Sequence, residues 1–511
     1  MYRNVLTKKS FALVGTAVLC AAAAVIFALC FRPEQGILLS ADSLAYLHAA
    51  DELMRGEGYV YFGMSTPMIQ WALLMPTFCA LIGLFTADVA GVMVYLNFVF
   101  LFVTLLFANL TVKHVIRKPA FALAAQIVIS FSWSIWHMYY HLWSEVLFLT
   151  FLSMLTYFFV RWLQEDKRRL LVGAGLSACF MLVARFTGME LAGLVGLYIL
   201  FRRGHSWKKR LGNALIYGLI GAPLCCLTLL RNYIVSGTFT GRSKPSSYTF
   251  VTNLKNLFSR IVQWFEPDFT SGRFPVVAIV LLLLLAVSFV LFLALRRRTR
   301  GMESLEVPFF LLLHCLLYSA TTLYANSTYA LDGTTSRIVS PILFCGVTLF
   351  FWLLSQGANA KRAWLRGGLI FCALALAIFS AASNVLYVSQ TVPGQISYYS
   401  LANLGEDPAA EYLSELDPTR VKIWTNDPNR LYYLTGMDCN YIPRRESIAI
   451  ELYCWDACVE RWQETGKELL ICWYDISASE ACYQEQELQQ MLSMTLVADL
   501  DNCQIYEAVL P

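Results

Sequence analysis

Long apolar blocks alternate with short polar segments along most of the chain. A membrane-spanning helix needs about 20 mostly apolar residues to cross the hydrocarbon core of a bilayer. Twelve blocks approach this length, near residues 11–31, 69–85, 88–112, 119–135, 145–163, 170–184, 187–201, 211–230, 275–295, 306–325, 338–355 and 367–388. The pattern predicts a polytopic α-helical membrane protein whose last segment lies outside the membrane.

Short clusters of Lys and Arg separate several blocks and predict the orientation of the chain. Positive charge close to span ends marks the cytoplasmic side of a membrane. Six clusters occur, at Arg3/Lys8/Lys9, Lys113/Arg117/Lys118, Lys167/Arg168/Arg169, Arg202/Arg203/Lys208/Lys209/Arg210, Arg296/Arg297/Arg298/Arg300 and Lys361/Arg362/Arg366. All six clusters lie on one side of the membrane if the block at 69–85 does not cross it. Pro76 lies within that block, and a proline in a helix interior costs ~3 kcal/mol of stability. We therefore expect about eleven spans in the plasma membrane, a juxtamembrane or re-entrant helix at 69–85, a cytoplasmic N-terminus and an extracytoplasmic C-terminus.

Three longer segments are expected on the outer side: a first loop at 32–87, a second at 231–274 and a tail at 389–511. In the tail, helical patterns alternate with short strand-like runs, as in small α/β domains. We predict a transmembrane domain at 1–388 and an extracytoplasmic α/β domain at 389–511. The strand-like runs are Val421–Thr425, Leu469–Trp473, Thr495–Asp499 and Gln504–Ala508, and the helical pieces are Pro408–Leu416, Pro428–Leu434 and Ser447–Glu464.

The composition agrees with this division. Of the 511 residues, 58% are hydrophobic and only 14% are charged, whereas soluble proteins carry about 25% charged residues. These values exclude a disordered chain and argue strongly against a wholly soluble enzyme. The net charge of +4 is small, and it gives no reason to expect a nucleic-acid partner.

The cysteines divide into two groups. Nine of the 15 lie in apolar blocks, where a thiol is most simply a small packing residue. The other six lie in the tail, at Cys439, Cys454, Cys458, Cys472, Cys482 and Cys503. An even number of cysteines in an exported domain permits disulfides, so we expect at least one there. No spacing in the chain predicts a metal site; a divalent metal is compatible with the chemistry considered below, but neither a metal nor another cofactor is predicted.

The segment after the first block carries the first candidate for chemistry. Asp42, Tyr46, Ala49 and Leu53 recur at helical spacing and form one face of an amphipathic helix, which Gly56 is expected to end. Asp is a favoured helix N-cap. Alternatively, Asp42 is a carboxylate held at the membrane surface to act as a general base. Spacing alone favours the cap.

Six segments, in order along nearly the whole chain, resemble the GT-C glycosyltransferases. The group they resemble includes protein O-mannosyltransferases, the lipid A aminoarabinose transferase and related bacterial family 39-like enzymes. The segments are Asp42/Tyr46 with Gly56-Glu57-Gly58-Tyr59 and Pro67; Ser144-Glu145; Ala184-Arg185-Phe186-Thr187-Gly188; Leu230-Arg231-Asn232-Tyr233 with Gly237-Thr238-Phe239; Ser336-Arg337-Ile338-Val339-Ser340-Pro341; and Asn426-Asp427-Pro428 with Leu431-Tyr432-Tyr433-Leu434-Thr435-Gly436. Two departures are visible: Val146 stands where the family has proline, and Ser43 where many relatives have a second acid.

The resemblance implies an activity. Such enzymes take a sugar from a polyprenyl-phosphate carrier at the outer face and pass it, with inversion, to an acceptor hydroxyl. The residue matching their catalytic base is Asp42. The partners implied are the polyprenyl-phosphate-linked sugar, an acceptor (glycan, lipid or protein) and the bilayer; neither the sugar nor the acceptor is specified.

A lipid phosphate leaving group calls for cations at the outer boundary. Arg185 and Arg337 are the candidates for binding the donor phosphate, although interfacial snorkelling or pairing with an acid such as Glu190 or Asp332 would equally place them there. Four residues are candidates for supporting roles. Glu145 either orients an arginine or simply begins a helix. His141 lies in an aromatic segment that forms either an interfacial belt or a platform for sugar stacking. Tyr46 and Arg231 are the other two, and Arg231 is more simply explained as solvated.

The sequence therefore favours a membrane glycosyltransferase with Asp42 as general base. A transporter or flippase for lipid-linked glycans is the alternative from another class, and would show charged or Gly/Pro-broken helices at mid-membrane and inverted repeats. No convincing repeat is present. A second alternative is an inactive membrane scaffold of the same architecture.

Overall fold

The computed structural model describes residues 2–31, 36–61, 66–241, 245–296, 305–329, 333–359, 362–391, 399–400, 404–445, 454–476 and 482–511. Its first part is a bundle of helices and its second a small mixed sheet with flanking helices. The fold class predicted from the sequence is confirmed: the chain is a multi-pass α-helical membrane protein with a small C-terminal α/β domain.

Seventeen helices among the described residues form the first part, in chain order. They are α1 (Tyr2–Phe31), α2 (Ala41–Arg55), α3 (Leu74–Gly83), α4 (Val89–Val115), α5 (Pro119–Ser130), α6 (Trp133–Tyr139), α7 (Glu145–Glu165), α8 (Arg168–Ala184), α9 (Met189–Phe201), α10 (Trp207–Gly221), α11 (Pro223–Ser236), α12 (Phe250–Gln263), α13 (Arg273–Arg296), α14 (Glu306–Thr328), α15 (Ser336–Val339), α16 (Leu343–Gly357) and α17 (Ala363–Thr391). A short antiparallel pair, β1 (Val60–Tyr61) and β2 (Thr66–Pro67), lies between α2 and α3.

Within the described ranges, seven helices are long and apolar enough to cross a bilayer. The number rises to nine if α5 with α6, bent by 40°, and α10 with α11, bent by 55°, each count as one span. Two further blocks predicted to span are helical but shorter, since α8 has 17 residues and α9 has 13. The predicted count of eleven is therefore not confirmed, because length and composition support seven to nine.

The block at 69–85 contains only the ten-residue helix α3. A helix of this length rises about 15 Å, half the thickness of a hydrocarbon core. Pro76 lies in its first turn, where the missing N–H of proline leaves no intrahelical hydrogen bond unmade. Proline thus marks the start of a short helix.

The helices that carry the candidate residues lie inside the bundle. In each of the spans Glu145–Glu165 and Ser336–Gly357, 72% of the residues in the most apolar 18-residue stretch are buried, against 22% for α13. The two inner helices therefore hold their N-terminal residues, which include Glu145 and Arg337, in fixed surroundings.

The C-terminal domain is built on one five-stranded sheet. Its order is β4-β3-β5-β7-β6, in which β4, β3 and β5 are parallel and β7 and β6 antiparallel. The strands are β3 (Val421–Thr425), β4 (Asn440–Tyr441), β5 (Glu468–Tyr474), β6 (Ser493–Leu500) and β7 (Cys503–Val509). The helices are α18 (Pro408–Ser414), α19 (Pro428–Thr435), α20 (Trp455–Thr465) and α21 (Glu485–Met491). All four predicted strand-like runs are strands, whereas β4 and α21 were not predicted, and the start of the helix expected at Ser447–Glu464 lies outside the described residues.

The domain boundary at 388–389 stays a prediction, with α17 continuing to Thr391. The disulfide expected in the tail also stays a prediction. All fifteen cysteines are free thiols in the structure, and the sulfur atoms of Cys472 and Cys503 lie 3.2 Å apart on the neighbouring strands β5 and β7.

Candidate active site

The N-terminus of α2 is capped by serines, which leaves Asp42 available for another role. The backbone N–H of Ser43 donates to Ser40 Oγ at 3.4 Å, and that of Ser40 donates to Ser43 Oγ at 3.0 Å. This reciprocal pair is a capping box, and it satisfies two N–H groups that have no partner within the helix. The interpretation of Asp42 as the N-cap is therefore wrong, because Ser40 is the cap and Asp42 lies in the first turn.

Arg337 joins Asp42 to Glu145. Its Nη2 lies 2.7 Å from Asp42 Oδ2 and 3.1 Å from Glu145 Oε2, while its Nε donates to Glu145 Oε1. Arg337 belongs to the short helix α15, which precedes the buried α16. One guanidinium thus spans two carboxylates from parts of the chain almost 200 and 300 residues away.

Arg185 also contacts the Glu145 carboxylate. It lies in the break between α8 and α9, and its Nη1 donates to Glu145 Oε1 and, at 3.3 Å, to Ser144 Oγ. The Tyr46 hydroxyl also donates to Ser144 Oγ at 3.3 Å. Burial, together with the negative charges of Asp42 and Glu145, raises the pKa of Tyr46, so its phenol remains a hydrogen-bond donor at neutral pH.

An aromatic surface lies against this cluster. The indole N–H of Trp143 donates to Ser40 Oγ at 2.8 Å, and the His141 ring stacks on Trp143 with centroids 3.8 Å apart. Burial lowers the pKa of His141 to about 4, to which the charge of Arg337 contributes. His141 is therefore neutral at pH 7, and it belongs to the aromatic surface without touching Asp42.

The four charged residues form a group with no net charge, in which Glu145 is buried and the other three side chains are partly exposed. Glu145 is 2% exposed, Arg337 15%, Arg185 22% and Asp42 27%. A buried carboxylate is tolerated when it is paired and hydrogen-bonded, and Glu145 meets both arginines. Asp42 and Arg185 are the more exposed members of the group.

Other predicted residues lie apart from this cluster. Arg231 donates to the carbonyl oxygens of Met68 at 2.6 Å and Tyr59 at 3.1 Å. It therefore holds the two segments that flank β1 and β2, and its supporting role at the site stays a prediction. Glu190, considered as a partner of Arg185, lies instead 3.2 Å from His314. Asp332, the other acid considered, lies outside the described residues.

Sequence reasoning missed the parts played by two hydroxyls. Ser40 caps α2 and holds Trp143, and Ser144 joins Tyr46 to Arg185. The Ser-x-x-Ser pattern at residues 40–43 is typical of a capped helix start. It could have predicted that Ser40 is the N-cap and that Asp42 lies in the first turn. No comparable local signal exists for Ser144, because its partners come from distant helices.

In the part of the chain that the structure describes, no group of three or more His, Cys, Asp or Glu side chains is arranged to hold a metal ion.

The helical bundle with its charged cluster and small α/β domain has the fold of the GT-C membrane proteins, as its similarity to solved structures shows. Among solved structures, ArnT from Cupriavidus metallidurans bound to undecaprenyl phosphate is similar over 96% of this chain and 97% of its own, with a TM-score of 0.61 and 12% identity. The apo state of that protein is similar over 98% of both chains, with a TM-score of 0.57 and 12% identity.

An oligosaccharyltransferase from Archaeoglobus fulgidus, in complex with Zn and sulfate, shares the fold more distantly. The similarity has a TM-score of 0.52 with 10% identity, over 89% of this chain and 68% of that protein. No protein-family model and no curated protein sequence matches the chain. The GT-C fold expected from the six segments is thus shown by structure.

Proposed function

We propose that the protein is an integral-membrane glycosyltransferase that moves a sugar from a polyprenyl-phosphate carrier to an acceptor hydroxyl. The observation that carries the proposal is a connected set of ion pairs: Arg337 joins Asp42 to Glu145, and Arg185 contacts the same Glu145. A carboxylate beside two guanidinium groups supplies a base for the acceptor and cations for a departing phosphate. The ArnT structure that shares this fold was solved bound to undecaprenyl phosphate, a carrier of the class proposed.

In this reaction, Asp42 is the general base. The acceptor hydroxyl gives its proton to the Asp42 carboxylate as its oxygen forms a bond to the anomeric carbon of the sugar. The bond between that carbon and the phosphate oxygen breaks on the opposite face, so the configuration inverts. The bonding electrons leave with the carrier, which becomes a free polyprenyl phosphate.

Arg337 and Arg185 would stabilise the charge that develops on the departing phosphate. Arginine presents a planar fork of N–H donors that matches phosphate oxygens. Glu145 holds both guanidinium groups, so little reorganisation is needed at the moment of reaction. When the donor enters, Arg337 would exchange its contact with Asp42 for one with phosphate, which frees the carboxylate to accept a proton.

The proposed orientation places this site at the outer face. Asp42 lies on α2, which also contacts the C-terminal domain, so both lie at one end of the bundle. The six basic clusters favour the cytoplasm for the other end. Reporter fusions after residues 87 and 118 test this arrangement: residue 87 is expected to report from outside and residue 118 from inside. An outside signal at 118 would overturn the orientation.

Replacement of Asp42 by Asn tests the reaction. The variant keeps the size of the side chain but cannot accept a proton as a base, so we expect the rate of sugar transfer to fall about 10²- to 10⁴-fold. The assay follows polyprenyl phosphate released from lipid-linked sugars extracted from cells that produce the protein. Asp88→Asn is the matched control and should retain wild-type activity, because it makes the same change at an exposed carboxylate that caps α4, a position where Asn caps as well as Asp.

Unchanged transfer by a correctly inserted Asp42→Asn variant would defeat the assignment of the base. A transporter would instead move the intact lipid-linked sugar across vesicles without releasing polyprenyl phosphate, and an inactive scaffold would do neither. Comparison of envelope glycans and lipid-linked sugars in cells with and without the gene would identify the sugar and the acceptor.

A further inference from the structure

Helix α2 has two faces that meet different parts of the protein. Asp42 lies in its first turn, whereas His48 and Asp51 lie about 9 and 14 Å further along its axis. These two residues are three apart and are therefore neighbours on one side of the helix. The His48 side chain is 2% exposed, which shows that this side is covered.

The covering element is the C-terminal domain. The Tyr432 hydroxyl, from α19, donates to Asp51 Oδ2 at 2.5 Å. The Tyr432 ring lies edge-on to the His48 ring with centroids 5.1 Å apart. His48 Nε2 in turn lies 3.4 Å from Asp438 Oδ1, which follows α19 and precedes β4. We call these four residues the α2 clamp: His48, Asp51, Tyr432 and Asp438.

The domain side of the clamp is itself firmly held. Helix α19 begins with Asp427, whose carboxylate accepts the N–H of Arg430 at 3.1 Å, and Arg430 Nε donates to Asp407 Oδ2 at 2.6 Å. Helix α19 ends at Gly436, where φ is +66°, a conformation that glycine adopts without strain. Tyr432 thus projects from an element fixed at both ends.

We propose that the α2 clamp consists of positioning residues through which the C-terminal domain sets the orientation of α2, and with it the placement of Asp42. The proposal rests on the proposed function and assigns a part in catalysis to a domain that carries none of the four charged site residues. The N-terminal end of α2 is held by Trp143 and Arg337, and the clamp holds the other end. A helix released at one end pivots about the other, and a shift of about 1 Å at a reacting group costs on the order of 100-fold in rate.

Tyr432→Phe removes the hydroxyl contact and keeps the ring. In the full-length protein, we expect kcat for polyprenyl phosphate release from extracted lipid-linked sugars to fall about 10-fold or more, with KM for that donor nearly unchanged. Asp51→Ala should act alike, and the double variant should be no worse than either single variant. Asp51→Asn keeps an oxygen acceptor for Tyr432 and should retain most of kcat.

Tyr506→Phe is the matched control, because it removes a hydroxyl from the same domain, where it contacts Glu485 at 2.6 Å. It should leave kcat unchanged. If Tyr432→Phe fails to fold, Asp438→Asn tests the second contact of the clamp with the same expectation. A wild-type kcat in folded Tyr432→Phe and Asp438→Asn variants would overturn the clamp, as would a fall in melting temperature alone. Failure of the proposed function is separate, since it would appear as full activity of Asp42→Asn.

Discussion

The guanidinium carbon of Arg337 lies 4.3 Å from the centre of the Trp143 ring. The aromatic ring covers one face of the guanidinium, while the N–H groups at its edge reach Asp42 and Glu145. Such a stacked and bidentate arrangement suits arginine and not lysine. The geometry therefore makes the identity of this cation, and not only its charge, important for the proposed reaction.

Replacement of Arg337 by Lys should lower kcat/KM for the lipid-linked donor by about 10²- to 10³-fold, since a point charge cannot keep both carboxylates and the stacking contact. Binding of undecaprenyl phosphate to the purified variant should also weaken. Arg273→Lys is a suitable control, because Arg273 lies 3.3 Å from Glu266, outside the cluster. Wild-type kinetics in Arg337→Lys would show that charge alone suffices.

Replacement of Glu145 by Gln should destabilise the protein. The variant leaves Arg185 and Arg337 facing each other without the buried negative charge between them. Loss of one partner of a buried ion pair costs on the order of 3 kcal/mol, which thermal unfolding in detergent would detect. Glu165→Gln removes a more exposed carboxylate and should cost less than about 1 kcal/mol. Equal melting temperatures for the two variants would contradict this view of Glu145.

The contact between the C-terminal domain and α2 should weaken in acid. Burial alone would raise the pKa of Asp438, but the contact with His48 and the charges of Lys422 and Arg55 hold that pKa below its ordinary value. A carboxyl with a depressed pKa in the folded state stabilises that state above its ordinary pKa of about 4, and the stabilisation is lost as the pH falls through the depressed value. The protection of the α2 amides, measured as the intrinsic exchange rate at each pH divided by the observed rate, should therefore fall below about pH 4, and Asp438→Asn should show less of this pH dependence. An identical acid response in the variant would exclude Asp438 as its source.

Cys472 and Cys503 should form a disulfide if the domain is exported. Their sulfur atoms are already 3.2 Å apart, and oxidation would require each thiol to lose a proton and an electron to a disulfide-type oxidant of the exported compartment. Mass spectrometry of the unreduced protein should find the 472–503 cross-link, whereas Cys439, whose thiol donates to Pro428 O, should be alkylated after unfolding. Alkylation of both Cys472 and Cys503 without reductant would refute the pairing.

Much of the fold could be predicted from local patterns, because apolar blocks and alternating strand-like runs reflect burial directly. The number of spans could not, since α8 and α9 are largely apolar and fall where two spanning blocks are expected, yet they have only 17 and 13 residues. At the site, Arg185 and Arg337 were recognised as cations near one boundary. Glu145 was one candidate for orienting an arginine, but that it meets both Arg185 and Arg337 follows only from contacts between distant parts of the chain.

Arg231 shows the limit of such reasoning most clearly. It shares its residue type with Arg185 and was expected to be solvated, but its guanidinium donates to the carbonyl oxygens of Met68 and Tyr59. Backbone acceptors leave no mark in a sequence. The two roles therefore look identical until the chain is folded.

The balanced charge of the site has a consequence for turnover. The charges of the two carboxylates and the two guanidinium groups sum to zero, so these four side chains together hold no surplus positive charge for an anion. A pocket with two uncompensated arginines would retain the spent carrier phosphate and make product release slow. In the proposed reaction Asp42 takes up the proton of the acceptor. Once Asp42 has released that proton, it would again compete with the spent phosphate for the N–H groups of Arg337 and so help to clear the site for the next cycle.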